Sequence, residues 1–136
     1  MYCKCHAGTM RNTLHPMKAR KAHLRSHPFG NTYGMRITLP SGTSAEIVHH
    51  DSPVMGLVVA PDIFGLRPLY DDLVARFSSE WGMSVVAVEP FPGAELGPDI
   101  DPRFAAVPAL DDARNLSDLL EAADALGTET VGLIGF

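Results

Sequence analysis

Three short runs of this sequence are apolar on both faces of an extended chain, and two amphipathic segments separate them. The runs lie near 56–61, 83–88 and 130–135. Strands of this kind lie inside a sheet that helices cover on both sides. Strands that alternate with helices predict a mostly parallel, doubly wound sheet. The chain is therefore predicted to be an α/β protein.

The two segments between these runs have helical periodicity. Apolar residues recur every ~3.6 positions, which predicts helices near 67–81 and 109–126. Pro68 suits the first turn of the first helix, and Gly82 suits its end. The stretch 90–108, rich in proline, is predicted to be a loop. The predicted buried stripes are Leu69, Leu73, Phe77 and Trp81, with Tyr70 and Val74 beside them, in the first helix, and Leu110, Ala113, Leu116, Leu120 and Ala123 in the second.

Two shorter segments precede the first apolar run. Polar and apolar residues alternate near 36–40 and again near 44–50, and the turn sequence Pro40-Ser41-Gly42 separates them. This pattern predicts an antiparallel hairpin at one edge of the sheet. Two histidines at its end, His49 and His50, are interpreted as exposed residues of a strand edge. The predicted fold is thus a parallel sheet with an antiparallel N-terminal hairpin.

Charge divides the chain in two near Gly34. Residues 1–34 hold six of the 11 Lys and Arg and none of the 16 Asp and Glu, so all the acidic residues lie in 35–136. The basic part shows no helical or strand period, which predicts a disordered leader, or a misplaced start with Met35 as the functional beginning. The domain assignment is therefore 1–34 as leader and 35–136 as the folded part.

Three functional interpretations of the leader stay open beside that one. An acid-poor, Arg-containing segment is typical of an organelle transit peptide, and its charge alone would suit a nucleic-acid arm. Cys3, Cys5, His6 and His15 are metal-ligand types, but they lack zinc-finger spacing.

The two cysteines of the sequence form no disulfide framework, so a reducing compartment, the cytoplasm, is expected. The longest apolar runs fall far short of the ~20 residues of a membrane helix.

The candidate site follows the first apolar run. Carboxyl ends of parallel strands meet at one edge of a sheet, where ligands bind. The sequence Ala60-Pro61-Asp62-Ile63-Phe64-Gly65-Leu66 begins at such an end. Gly65 allows a tight turn, and backbone N–H groups in the turn are candidate oxyanion donors. The alternative is that Asp62 only caps or orients the turn.

Three segments carry a resemblance to a known family. VVAPDIFG at 58–65, VVAVEPF at 85–91 and VGLIGF at 131–136 together resemble the amino-terminal half of the dienelactone hydrolases. The resemblance covers about 35–136 and implies the α/β-hydrolase fold. It also implies hydrolysis of an ester or lactone bond in a small-molecule substrate. No cofactor, metal, nucleic acid or membrane partner is expected.

The resemblance implies roles for particular residues. Asp62 matches an acidic residue, usually Glu, that contacts the resting nucleophilic cysteine, so we expect a raised pKa for its carboxyl. The Ile63 N–H matches one oxyanion donor. Gly135 and Phe136 match the two residues before the nucleophile of a Gly-x-Cys-x-Gly-Gly elbow. Phe64 walls the site, and Arg103 is the candidate substrate-binding arginine, since 91–96 offers none.

This match places the nucleophile, Cys or Ser, directly after Phe136, and the Asp and His of the triad further on. The 136-residue chain is therefore expected to be an inactive fragment of a longer hydrolase, with its last apolar run exposed. Two alternatives remain. Gly132 and Gly135 also fit the opening of a Gly-x-Gly-x-x-Gly dinucleotide fingerprint of an NAD(P)-dependent oxidoreductase. In the second alternative, the chain is a non-catalytic truncated product or a binding module.

Overall fold

The structure, a computed structural model, describes residues 34–136. One sheet contains five strands in the order β1-β2-β4-β3-β5. β3, β4 and β5 run parallel, whereas β1 pairs antiparallel with β2 and β2 antiparallel with β4. This arrangement confirms the α/β class and the N-terminal hairpin. The strands are β1 (Met35–Thr38), β2 (Ser44–Val48), β3 (Gly56–Ala60), β4 (Ser84–Val88) and β5 (Val131–Gly135).

The predictions for the basic leader, including the group Cys3, Cys5, His6 and His15, lie outside the described residues. The strand predicted to open the folded part does begin at Met35. Across 34–136, no helix has the length and apolar character needed to cross a membrane.

Helices cover both faces of the sheet. α1 (Pro68–Trp81) packs on one face and α3 (Asp112–Leu126) on the other, and each contacts the central strand β4. Proline opens α1, and Gly82 ends it in a left-handed conformation with φ of 65°. Asp111 caps α3 by accepting hydrogen bonds from the N–H groups of Ala113 and Arg114. These are the end signals that the sequence contains.

The alternation of side chains along β3 and β4 divides the core into two layers. Val58 and Val86 point to the α3 side, whereas Val59 and Val85 point to the α1 side. All four are at most 2% exposed, so both faces of these central strands are buried. This is the pattern that continuous apolar runs predict.

The predicted helix stripes were partly wrong. Leu69 and Trp81 of α1 are 52% and 48% exposed, whereas Tyr70 and Val74 are buried as predicted, together with Ala75 and Ser78. In α3, Leu116 and Leu120 are exposed, and Asp118, Ala122 and Leu126 are buried. Both buried faces contain polar atoms with hydrogen bonds: the Tyr70 hydroxyl accepts from the Asp62 N–H, and Oδ2 of Asp118 accepts from the Thr43 hydroxyl. The buried Oγ of Ser78 and Oδ1 of Asp118 have no hydrogen-bond partner among residues 34–136.

The stretch 90–108 is not wholly a loop, which corrects the prediction. It contains α2 (Ile100–Ala106) and a 3₁₀ turn at Val107–Ala109. Pro102 is the third residue of α2, within the first turn, where backbone N–H groups have no helical acceptor. A proline there removes no hydrogen bond, so the richness in proline did not exclude a helix.

β5 pairs with β3 and is the last strand in the sheet order. Its Ile134 packs against the α1-side core, while Leu133, pointing to the opposite face, is 62% exposed. The expected exposure of this apolar run is therefore confirmed for the face that contains Leu133, whereas Ile134 on the other face is partly buried.

Candidate active site

The carboxyl ends of β3 and β5 meet at one edge of the sheet. The backbone N–H of Phe136 donates to the Ala60 carbonyl oxygen over 3.2 Å. The Phe136 ring also packs edge-on against the Tyr70 ring, with centroids 6.0 Å apart. The end of β5 therefore lies beside residues 61–67, which we term the β3–α1 loop. Gly135 and Phe136 thus lie beside Ala60, the residue that directly precedes the loop containing Asp62, Ile63 and Phe64.

Asp62 forms a bidentate ion pair with Arg67. Nη1 and Nη2 of Arg67 donate to Oδ1 and Oδ2 of Asp62 over 2.6 and 2.8 Å, and Oδ1 also accepts from the Phe64 N–H at 2.9 Å. The hydrogen bond from Arg67 lowers the pKa of the Asp62 carboxyl, and partial burial opposes that shift. The expected raised pKa is therefore wrong. The expectation of a raised pKa rested on a neighbouring thiol alone, whereas the largest influence on this carboxyl is Arg67, five residues later in the sequence.

The backbone N–H groups of the β3–α1 loop differ in their acceptors. The Asp62 N–H donates to the Tyr70 hydroxyl oxygen at 2.8 Å, and the Gly65 N–H donates to the Asp62 carbonyl at 2.9 Å. The Leu66 N–H donates to Oε2 of Glu89 at 2.9 Å. The Ile63 N–H has no acceptor among residues 34–136. The Arg67 N–H at the end of the loop likewise has no acceptor within this range, so the Ile63 and Arg67 donors of the loop are left for a ligand or solvent.

Phe64 lies between two arginine side chains. The guanidinium carbon of Arg67 is 5.1 Å from the Phe64 ring centroid, and that of Arg103 is 5.7 Å away. Arg103 also donates from Nη1 to the Ile63 carbonyl and from Nε to the Gly97 carbonyl, both at 2.9 Å. The structure therefore places Arg103 beside the loop. Its contact with substrate stays a prediction.

Sequence reasoning missed three residues of this edge: Arg67, Tyr70 and Glu89. Arg67 is the only cation between β3 and the end of the first turn of α1, and its charge was the available signal. Tyr70 was assigned to the helix core, and its hydroxyl hydrogen bond gave no sequence signal. Glu89 follows β4 directly, at the carboxyl edge where site residues gather, so its position could have identified it.

A small, mostly apolar cleft lies on the α3 side of the same edge, lined by Ala60, Pro61, Val88, Glu89, Pro90, Asn115, Asp118 and Leu119. Asp118 is 1% exposed and accepts a hydrogen bond at Oδ2 from the Thr43 hydroxyl, 2.6 Å away. In the part of the chain that the structure describes, no three His, Cys, Asp or Glu side chains are grouped so as to hold a metal ion.

Comparison with solved structures shows the class of fold. A protein designated a dienelactone hydrolase, from Klebsiella pneumoniae subsp. pneumoniae MGH 78578, matches with a TM-score of 0.65 and 22% identity. A dienelactone hydrolase-like promiscuous phosphotriesterase from metagenomic libraries matches with a TM-score of 0.57 and 22% identity. A structure named m3DLH matches with a TM-score of 0.57 and 23% identity.

Each match covers 79% of this chain and 50% of the other chain. The chain thus spans about half the length of these structures. Over the matched residues it has part of the α/β-hydrolase fold of these dienelactone hydrolase-like structures, as the sequence resemblance implies. No protein-family model matches the sequence, and the search of curated proteins gave no match.

Proposed function

We propose that this chain carries the oxyanion side of the active site of a dienelactone hydrolase-like enzyme that cleaves ester or lactone bonds. One observation carries the proposal. The Ile63 N–H, at the position that the resemblance assigns to an oxyanion donor, has no acceptor among residues 34–136, whereas the N–H groups on either side of it, those of Asp62 and Phe64, both have one. Acyl transfer requires an N–H donor of this kind, because charge develops on the carbonyl oxygen in the transition state.

The proposed nucleophile is a Cys or Ser directly after Phe136. The hydrogen bond from the Phe136 N–H to the Ala60 carbonyl supports this position, because a residue that follows Phe136 would begin beside the β3–α1 loop. Attack by the thiolate or alkoxide forms a bond to the carbonyl carbon, and the π electron pair moves to the oxygen. The N–H of Ile63 and the N–H after the nucleophile would hold that oxyanion.

The triad His takes the proton of the Cys or Ser in this attack. Collapse of the intermediate breaks the bond to the leaving oxygen, which takes that proton from the His. Water, deprotonated by the same His, then attacks the acyl carbon, the bond from this carbon to the nucleophile breaks, and the nucleophile regains a proton from the His as the acid is released. In this proposal the triad His and Asp lie beyond residue 136. The 136 residues alone are therefore expected to show no turnover.

The remaining site residues shape the surroundings of the reaction. Phe64 supplies an apolar wall, and Arg103, whose guanidinium lies beside it, is the proposed contact for a polar substrate group. Asp62 is proposed to act near the nucleophile. Because Arg67 balances its charge, Asp62 disfavours a neighbouring thiolate less than an unpaired carboxylate would. A small-molecule substrate and a cytoplasmic location, rather than a nucleic-acid or membrane partner, complete the proposal.

Two measurements test this function. The residues encoded after Phe136 should read Cys or Ser followed by x-Gly-Gly, whereas Gly-x-x-Gly would favour the oxidoreductase alternative. The complete protein should hydrolyse an aryl ester or a simple lactone, and replacing the residue after Phe136 by Ala should abolish turnover. NADH binding without hydrolysis would overturn the proposal, and so would turnover by the 136-residue chain alone.

A further inference from the structure

One carboxylate at this edge bonds to two different loops. Glu89, the first residue after β4, accepts at Oε2 from the Leu66 N–H over 2.9 Å and at Oε1 from the Phe91 N–H over 3.2 Å. Its own backbone N–H donates to the Ser44 carbonyl at 2.9 Å. The side chain therefore connects the β3–α1 loop to the chain after β4, from a backbone that is itself fixed to the sheet.

Close packing at Gly65 keeps this carboxylate in one place. Gly65 is buried and has a φ of +64°, in the left-handed region that favours glycine. A Cβ at this position would lie 2.5 Å from Oε1 and 2.7 Å from Oε2 of Glu89. The loop backbone thus lies directly against the carboxylate. No other residue type fits here while Glu89 keeps its position.

The chemistry of the two bonds requires a carboxylate in particular. Both partners of Glu89 are backbone N–H donors, so both of its oxygens must accept. A glutamine has nearly the same shape but offers only one acceptor, and its NH₂ group would face one of the N–H donors. Hydrogen bonds from N–H groups to a charged acceptor are stronger than those between neutral groups. Glu89→Gln therefore removes one bond with little change in volume.

We propose that Glu89 is a positioning residue that sets the position of the Ile63 N–H. The inference rests on the proposed function, because it gives Ile63 the role of oxyanion donor. Leu66 lies three residues after Ile63 in the same turn, and the Gly65 N–H bond to the Asp62 carbonyl lies between them. An anchored Leu66 therefore fixes the direction of the Ile63 donor. Oxyanion donors contribute only when they are preorganised in this way.

The test compares Glu89→Gln with a matched control, Glu95→Gln, in the complete protein. Glu95 is an exposed glutamate in the same connection between β4 and α2. For Glu89→Gln we expect kcat to fall about tenfold or more while KM changes little, since the lost interaction acts in the transition state. We also expect hydrogen exchange of the Leu66 or Phe91 amide to accelerate by roughly ten- to a hundredfold. Glu95→Gln should change neither.

A second pair of variants tests the contact with Gly65. Gly65→Ala should lower kcat in the wild-type background, because the new methyl group displaces the carboxylate and the φ is unfavourable. In a Glu89→Ala background the displaced group is absent, so Gly65→Ala should cost less. Thermal unfolding confirms which variants are folded. Strictly additive effects on kcat would overturn the inference, since residues in contact are expected to couple.

The outcomes separate this inference from the proposed function. If Glu89→Gln leaves the Leu66 and Phe91 amides as protected as before, Glu89 does not anchor the loop, whatever the activity. If exchange accelerates but kcat is unchanged in an active hydrolase, Glu89 does not position the donor. If the complete protein hydrolyses no ester or lactone, the proposed function fails, and with it the role given to Ile63. The exchange data then still decide whether Glu89 anchors the loop.

Discussion

The two faces of the sheet differ in how well they cover the side chains of β5. On the α1 side, Ile134 of β5 packs against the core, and the β3–α1 loop is held by hydrogen bonds that its Asp62 and Leu66 N–H groups donate to the Tyr70 hydroxyl and the Glu89 carboxylate. On the α3 side, Leu133 of the same strand is 62% exposed, and Leu116 and Leu120 of α3 are exposed as well. A single strand thus has one packed face and one open face within the described residues.

The difference shows how the two sides use polar groups. On the α1 side, polar atoms are concentrated at the loop end, where they fix backbone groups and leave the Ile63 N–H without an acceptor. On the α3 side, the notable polar contact is buried between α3 and the hairpin: the Thr43 hydroxyl donates to Asp118, which is 1% exposed. In our proposal the first arrangement orients a site, and we expect the second to contribute to stability. Four sets of variants test this distinction, in order of decreasing expected effect.

The largest effect is expected at Ile63. Ile63→Pro removes the N–H, and loss of one oxyanion donor lowers kcat by about 10²–10³-fold in a well-studied protease. The complete protein should show a fall of this size, with Ile63→Ala, which keeps the N–H, as the matched control. Steady-state kinetics and circular dichroism would measure activity and folding. A folded Ile63→Pro variant with full turnover would show that Ile63 is not the donor.

The next effect is on stability, at the α3 side. Thr43→Val leaves the buried Asp118 carboxylate without its hydroxyl donor, which should lower the free energy of unfolding by about 1–3 kcal/mol. Urea unfolding measures the change, and Thr38→Val, at an exposed threonine of β1, is the control. Adding Asp118→Leu should restore part of the loss, since replacing both partners removes the unpaired acceptor. No loss in Thr43→Val would contradict a stabilising role for this bond.

The two faces of β5 provide a direct internal comparison. In the 136-residue chain, Ile134→Ala should lower the free energy of unfolding by roughly 1–2 kcal/mol, because Ile134 packs against the α1-side core. Leu133→Ala should cost less than about 0.5 kcal/mol, as expected for an exposed side chain. Denaturant unfolding measures the loss of unfolding free energy in each variant. Equal losses in the two variants would mean that Leu133 is buried to the same extent as Ile134.

Whether the sequence alone predicts a structural feature depends on how far apart in the chain the interacting residues are. The positions of the five strands and of α1 and α3 follow from local periodicity and end signals such as Pro68 and Gly82, and the sequence predicts them closely, whereas it does not predict α2. The buried face of α3 was not predicted, because the partner of Asp118 is Thr43, 75 residues earlier in the chain. The Glu89 contact with Leu66 likewise spans 23 residues. Local patterns do not encode such pairs.

In the candidate site, too, some features follow from the sequence and others do not. The order of strands places Asp62, Ile63 and Phe136 at one edge, so their proximity was predictable from topology. The protonation behaviour of Asp62 was not, because it depends on the direction in which one arginine side chain points. Arg67 is close in sequence, but an exposed arginine at a helix start ordinarily extends into solvent.

The smallest effect concerns that pair, Asp62 and Arg67. The hydrogen bond from Arg67 is the largest cause of the lowered Asp62 pKa, so in Arg67→Met this pKa should rise. A carboxyl whose pKa is lower in the folded than in the unfolded state stabilises the fold at pH values above its ordinary pKa of about 3.9, and this contribution disappears as the pH falls through the folded-state pKa. Because both side chains are about a third exposed, the contribution should stay below about 1 kcal/mol.

The stability difference between wild type and Arg67→Met should therefore be fully present at neutral pH and vanish in strong acid. NMR titration of the Asp62 side-chain carboxyl carbon measures the pKa directly. Arg76→Met removes an arginine that pairs with Glu80 in the exposed part of α1, so it should leave the Asp62 pKa unchanged. If Arg67→Met and Arg76→Met give the same Asp62 titration curve, the Arg67 contact does not control this carboxyl. The charge beside the proposed nucleophile would then be unbalanced.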